Sequence, residues 1–407
     1  MLSGWSVLRL VVVPVASVLG AYAAFLVILT IPAVQNQVIY LNKVKLTWFK
    51  DVSVPEQWGF LRNQVTPFTL QTSDRQTLHA WHILPLGLYH EHESRLAAQP
   101  LGLVSDITRT AGFELLRDDP ETLLVLYFHG AAGTLGSGWR PPSYRAMSAG
   151  SPRRVHTIAI DYRGFGSSTG SPSENGLLID AIALADFALN TLGIPPSRIV
   201  LFGQSLGTAV TISLAHHMAT LHEPVLFAGM VLVAPFSSVE MLTATYRVAG
   251  TIPLLSPVAR IPSLLSFFNN FIIAKWASRD RLATFISHVE KLPVPAQQGY
   301  HVTIIHAQDD YDIPWTHSVD VFWHAAAATV TAGDPSRNMD FSEKTKEHVN
   351  RRLEDEGGGL LNRTGHKGSV QLEICRYGLH DRIMSYPVVS RAIMRAFEGG
   401  RIQELHS

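Results

Sequence analysis

Two serines in this chain lie in the pattern Gly-x-Ser-x-Gly, and one of them is placed where a hydroxyl could act as a nucleophile. Gly203-Gln-Ser205-Leu-Gly207 follows the apolar run Ile199-Val-Leu-Phe202 and opens into Thr208-Ala-Val-Thr-Ile-Ser-Leu-Ala, the order strand, turn, helix. A serine on so sharp a turn takes a strained backbone, while the flanking glycines leave room for neighbouring chain as the hydroxyl projects. The helix that follows points free amides at the place where negative charge would develop. Gly166-Ser-Ser168-Thr-Gly170 fits the same pattern but leads into Ser171-Pro-Ser, so Ser168 reads as loop. At average residue usage a chain of this length gives roughly 0.1 to 0.2 chance matches, so context and not the pattern selects Ser205.

A serine hydroxyl needs a base to take its proton, and the imidazole that does so needs a carboxylate to fix its tautomer. For a serine on such a turn the partners follow in the order acid, then histidine, on loops leaving late strands. After Val302-Thr-Ile-Ile-His-Ala come Asp309, Asp310 and Asp312 at one strand end; Asp310 is the preferred acid and Asp309 the alternative, with solvated turn residues the plainer reading. After Val370-Gln-Leu-Glu-Ile-Cys-Arg comes Tyr377-Gly-Leu-His380-Asp381, which places His380 as the base. Of eighteen histidines its competitors are His317, His348 and His366, the last two in charged or glycine-rich sequence. Phe128-His129-Gly130-Ala131-Ala132-Gly133 can aim the Ala131 amide at the point faced by the Leu206 amide, forming an oxyanion site from backbone donors.

The elements that must hold these residues alternate. Thr66–Thr72 and Leu78–Leu84 read as two strands around Ser73-Asp-Arg. Gly87 to Pro120 reads as loop-rich. Unalternating apolar runs at Leu123–Phe128, His156–Ile160, Arg198–Phe202, Phe227–Val233 and Val302–Ile305 suit parallel strands covered on both faces. Gly176–Leu192 reads as a helix capped by Ser173, and Pro387–Phe397 as a terminal amphipathic helix. The class is α/β, a mostly parallel sheet with helices on both faces. Residues 240–298, with Pro253, Pro257, Pro262 and the apolar Leu264–Ile273, read equally as a helical cap over the site or as core. Residues 324–368 read as a polar, solvated insertion.

From Leu10 to Val34 there is no charged side chain. At 1.5 Å per residue a helix of that length covers roughly 37 Å, enough to cross a ~30 Å hydrocarbon core and longer than a signal-peptide apolar region. One uncleaved transmembrane anchor is expected. Lys43, Lys45 and Lys50 outnumber Arg9 and favour a cytosolic body, whereas Asn362-Arg363-Thr364, the single glycosylation sequon, has a use only in a lumenal one. Thirty-three basic residues cancel thirty-three acidic ones without a basic block, which argues against nucleic acid as a partner. The lone Cys375 cannot form an internal disulfide or a Cys-x-x-Cys metal site.

His129-Gly-Ala-Ala-Gly, Asp161-Tyr-Arg-Gly-Phe-Gly-Ser-Ser-Thr-Gly, Pro172-Ser-Glu, Gly203-Gln-Ser-Leu-Gly-Thr, Ala234-Pro-Phe, His306-Ala-Gln-Asp-Asp and His380-Asp together resemble the membrane-anchored α/β-hydrolase-domain lipases that cleave monoacylglycerols and lysophosphatidylserine. The resemblance covers roughly residues 66–398, leaving a tail at 1–9, the anchor at 10–34, a linker at 35–65 and a tail at 399–407. It implies the α/β-hydrolase fold, a triad of Ser205, Asp310 and His380, and an endoplasmic-reticulum anchor with a lumenal catalytic body. The chain departs from the group at Ala131, where relatives often carry asparagine, and in the length of 324–368. The expected activity is hydrolysis of a lipid ester through an acyl-enzyme, with no metal or organic cofactor. A protein-acyl thioesterase is the alternative enzyme, and a catalytically silent membrane scaffold the alternative from another class.

Overall fold

The computed structural model describes residues 4–247, 255–293, 299–330 and 341–404. Parts of the two unusual segments, 248–254 with Pro253, 294–298 and 331–340, lie outside the described residues, as do both extreme termini. Nine strands form one sheet in the order β1-β2-β4-β3-β5-β6-β7-β9-β8. The edge pair β1 (Val65–Gln71) and β2 (Thr77–Ile83) is antiparallel. The run from β3 (Leu123–Phe128) and β4 (Val155–Asp161) through β5 (Ile199–Gln204), β6 (Gly229–Val233), β7 (Tyr300–Ala307) and β9 (Gly368–Cys375) is parallel.

The central strands are buried on both faces because helices cover both. Leu124, Leu126 and Phe128 of β3 join one apolar cluster while Leu123, Val125 and Tyr127 join another. The first cluster is completed by α7 (Glu174–Asp186), α8 (Leu206–Ala219), α12 (Ser278–Lys291) and α13 (Thr316–Ala328). The second is completed by α6 (Arg140–Met147) and the terminal helix α15 (Pro387–Glu404). Ser173 caps α7, its hydroxyl accepting from the Gly176 amide.

Four expectations change. The stretch 87–120 is not mainly loop, since it holds α3 (Leu86–Glu91), α4 (Glu93–Ala97) and α5 (Ala111–Arg117). These helices are five to seven residues long, too short for helical periodicity to show. The 324–368 insertion is not a solvated excursion throughout: its start belongs to α13, its charged run forms α14 (Glu343–Asp355), and β8 (Gly359–Thr364) adds an antiparallel edge strand. Val349 and Leu353 of α14 are buried, so two apolar positions one turn apart are enough to dock a charged helix. Residues 240–298 split by role. The cap comprises α9 (Val239–Thr245), α10 (Ser256–Ala259) and α11 (Pro262–Asn269), whereas α12 packs in the core against α8 and α13. The apolar run 10–34 is broken: α1 (Gly4–Leu29) ends before Thr30, and Pro32 starts a separate helix, α2 (Pro32–Tyr40). Val12–Leu29 is, among the described residues, the stretch long and apolar enough to cross a membrane.

The expected linker 35–65 is bound to the body. Tyr40, Val52 and Phe60 are buried. The Ala132 and Gly133 amides donate to the carbonyls of Tyr40 and Val44, at 2.9 and 2.6 Å.

β3 and β5 are the neighbours between which the chain reverses direction across the sheet, the place where an open α/β sheet forms a crevice. Gly207 makes that crevice tight, because a Cβ there would lie 1.9 Å from the Phe128 carbonyl oxygen. Gly207→Ala is therefore expected to lower stability by about 1–3 kcal/mol, as overpacking does. Gly20→Ala, which meets no atom within 4 Å, should leave the midpoint of thermal unfolding in place.

Candidate active site

Ser205 stands between β5 and α8 with φ 52° and ψ −120°, a conformation that costs a non-glycine residue about 1–3 kcal/mol. Its amide donates to Val233 of β6 at 2.9 Å, which ties the strained turn to the sheet. β5 pairs with β3 so that Gly203 faces Phe128, and this register sets the turn after β3 beside Ser205. Among the described residues neither the Ala131 nor the Leu206 amide has a hydrogen-bond acceptor, and both residues line the same cavity as Ser205. Leu206 opens α8, so its amide belongs to the unsatisfied first turn of a helix.

The turn after β3 is held by a buried cation. Arg140 donates from Nη1 to the Thr134 carbonyl at 2.6 Å and from Nη2 to those of Gly130, Ala131 and Ala132 at 3.0, 3.2 and 2.8 Å. With its carbonyls drawn to one side, the turn presents its amides on the other. Ala132 sits at φ 58°, strain that these bonds and the Tyr40 carbonyl hold in place.

Asp310 and His380 meet because β7 and β9 pair in parallel with Ala307 facing Cys375. The loops that leave this pair carry Asp310 and His380, and His380 Nδ1 donates to Asp310 Oδ2 at 2.7 Å. Asp309 turns elsewhere: its Oδ1 accepts the amides of Gly378 and Leu379, each at 2.8 Å, and so shapes the loop that presents His380. Asp310 Oδ1 accepts the amides of Asp312 and Ile313, each at 2.9 Å, and Oδ2 also faces His306 Nε2 at 3.0 Å. His306 Nε2 faces a second acceptor, the Ile313 carbonyl, at 3.0 Å, so this nitrogen carries the proton. Nδ1 then accepts from the Ser318 hydroxyl at 2.6 Å.

These contacts set the charges. Burial alone would raise the Asp310 carboxyl, but His380 and His306 hold it well below the usual carboxylate range. Burial likewise opposes a charged His380, and the facing Asp310 carboxylate outweighs it, lifting the imidazole to about 9. Asp312 is pushed up by burial. Asp310, Asp312 and His380 also bring three potential metal-ligand atoms within 4.8 Å of one another. Those of Asp310 and His380 are committed to each other and to the amides above.

The other expected residues lie elsewhere. Ser168 donates to the Asp161 carbonyl and accepts the His79 amide, so it ties a loop to β2. His317 is buried between Ser237 and Thr245, His348 is exposed on α14, and the His366 amide donates to Glu290. Asn362 is exposed on β8. Sequence reasoning missed Arg140, His306 and Gln204, whose amide nitrogen donates to Asp381 at 3.0 Å and to the His380 carbonyl at 3.3 Å. Nothing in a lone arginine or glutamine marks such a bracing role, although His306 lies four residues before Asp310 in a motif already noted.

Ser205 and His380 open on one cavity of about 410 Å³ with a mostly apolar lining. Phe236, Leu242, Val258, Leu265, Phe268 and Ile272 supply much of that lining from the cap and the end of β6. Residues 123–373 match the sequence profile of the alpha/beta hydrolase family. The chain belongs to the alpha/beta hydrolase family. It is a serine ester hydrolase in class. Over 325 residues it is 26% identical to the lysophosphatidylserine lipase ABHD12 of Danio rerio, covering 80% of this chain and 75% of the relative. Over 315 residues it is 29% identical to that of Xenopus tropicalis, covering 76% and 70%. The alpha/beta hydrolase of Vibrio vulnificus superposes with a TM-score of 0.51 at 15% identity, covering 90% of this chain and 92% of that one, a likeness of fold.

Were His380 the base, it would have to be neutral to accept a proton, and its raised value then predicts that kcat/KM for a small soluble ester falls as pH drops. The midpoint of that fall should lie above the ordinary imidazole value of about 6.5. Asp310→Asn should move the midpoint down and lower kcat about 10⁴-fold. A pH profile unmoved by that substitution would separate the pair from the chemistry.

Proposed function

We propose that this hydrolase cleaves the carboxylic ester of a single-chain lipid, a lysophospholipid or monoacylglycerol, with Ser205, His380 and Asp310 as its triad. The observation that carries this reading is the apolar cavity ending on Ser205, which suits a hydrocarbon chain bound up to its carbonyl carbon. The relatives named lysophosphatidylserine lipase support the substrate class. In the first step the Ser205 oxygen bonds to the carbonyl carbon while His380 Nε2 takes its proton, and the Ala131 and Leu206 amides receive the oxyanion. Collapse breaks the ester bond, His380 returns the proton to the departing alcohol, and the acyl group stays on Ser205. Water repeats the sequence and releases the fatty acid. Asp310, negative throughout, holds the imidazole in the tautomer with a free Nε2 lone pair.

α1 serves in this reading as a single-pass anchor in the endoplasmic-reticulum membrane, with the catalytic body in the lumen and Asn362 free to carry a glycan. Asn362→Gln should then abolish an endoglycosidase-sensitive shift in electrophoretic mobility; a chain that shows no such shift has its body in the cytosol. For the activity, a fluorophosphonate should label the full-length protein in detergent and fail to label Ser205→Ala. Turnover of a lysophospholipid should exceed that of an S-acylated peptide. The reverse preference would make the protein a thioesterase, and no Ser205-dependent adduct on folded protein would leave it a scaffold.

A further inference from the structure

The membrane anchor ends inside the substrate cavity. Leu26, Leu29 and Thr30 of the apolar helix and the turn after it share one lining with Ser205 and His380. The packed side of α1 follows the helical repeat: Tyr22, Phe25, Leu29 and Thr30 are half-buried and Leu26 is buried. The opposite side is open, with Val18 68%, Val27 62% and Ile28 49% exposed.

One latch holds this arrangement. Buried Gln35 of α2 binds the cap at both ends of its amide: Nε2 donates to the Phe271 carbonyl at 2.8 Å, and Oε1 accepts the Ile273 amide at 3.2 Å. Around this latch the rim of the cap stays apolar and open, Phe267, Phe271 and Ile273 being 54%, 42% and 65% exposed.

We propose that the last two turns of α1 are a wall of the acyl-chain site, so that Leu26 and Leu29 set the length of chain accepted and the acyl tail reaches Ser205 from the bilayer between α1 and the cap. The inference rests on the lipid-ester reading above. A bilayer around α1 would bring the rim of Phe267, Phe271 and Ile273 to its surface, since Gln35 joins that rim to the helix that follows the span. An acyl chain moving along this path stays out of water, and each methylene kept from water shifts its distribution roughly fourfold.

The test uses the full-length protein in phosphatidylcholine vesicles and the ratio of kcat/KM for palmitoyl over butyryl esters of one head group. Leu26→Trp and Leu29→Trp, which fill the wall, should lower that ratio about tenfold or more, equivalent to about two excluded methylenes. Val18→Trp and Val27→Trp, on the open side, should leave it unchanged. Equal ratios in all four variants overturn the proposal. A second measurement needs no variant: a fluorophosphonate with a long alkyl tail ending in a diazirine, attached to Ser205 and then photolysed. Crosslinks within residues 22–30 support the wall, and crosslinks confined to the cap and core overturn it. Wild-type protein that forms no Ser205 adduct defeats the parent reading as well, which distinguishes that failure from an adduct whose tail lies elsewhere.

Discussion

A single residue held in an unfavourable backbone conformation fixes the rest of the site. Ser205, at φ 52°, persists because the elements around it leave no alternative. Its amide is bound by β6, Gly203 and Gly207 allow α8 to close onto β5, and Gly207 lies against the Phe128 carbonyl at the end of β3. That last contact also places the turn after β3, because the turn begins one residue after Phe128. Strain at Ser205 and placement of the Ala131 amide beside it are thus two results of one close approach between backbones. A side chain at either glycine would separate them.

The strands and the chemistry were legible in the sequence to different degrees, for different physical reasons. β3 to β7 announce themselves because a strand covered on both faces must be apolar at consecutive positions, and Leu123–Phe128 is matched to the residue. The Gly203–Gly207 turn is legible because steric demand selects glycine at fixed spacing. The assignment between Asp309 and Asp310 was not, since both are carboxylates at one strand end and only three-dimensional position separates the one facing His380 from the one facing two amides. Arg140 was invisible for a related reason. Its partners are four carbonyls, groups every residue owns, so no sequence pattern can mark them. α14 was hidden by its charge, because a helix that docks through Val349 and Leu353 looks solvated when counted by composition.

The electrostatics of the acid follow from how fully its lone pairs are used. Asp310 accepts two amides on one oxygen and two imidazoles on the other, all within 3.0 Å. A buried carboxylate with this many donors stays ionised, since burial is offset by hydrogen bonds to the charged form. The proton on His306 Nε2 is fixed in turn by the Ile313 carbonyl and by Ser318. His306 therefore points an N–H at the same carboxylate oxygen that His380 faces. The two histidines differ because both ring nitrogens of His306 are taken by buried partners, whereas His380 keeps one nitrogen toward the cavity, which it helps to line.

The segment before β1 joins these features to the membrane-compatible helix. A flexible tether would leave the turn after β3 indifferent to what precedes it, but here the carbonyls of Tyr40 and Val44 take the amides of Ala132 and Gly133. Were residues 40–44 to move away, those two amides would become orphans beside a strained Ala132, at about 1–3 kcal/mol for each unsatisfied group. The turn would then relax toward a conformation in which the Ala131 amide loses its direction. The helix that ends at Leu29 is only eleven residues before Tyr40, and α2 spans most of that distance with Gln35 bound to the cap. Displacement of α1 relative to the cap must therefore either break the Gln35 pair or carry the turn after β3 with it. The geometry of the amides beside Ser205 is in this way mechanically continuous with the position of α1.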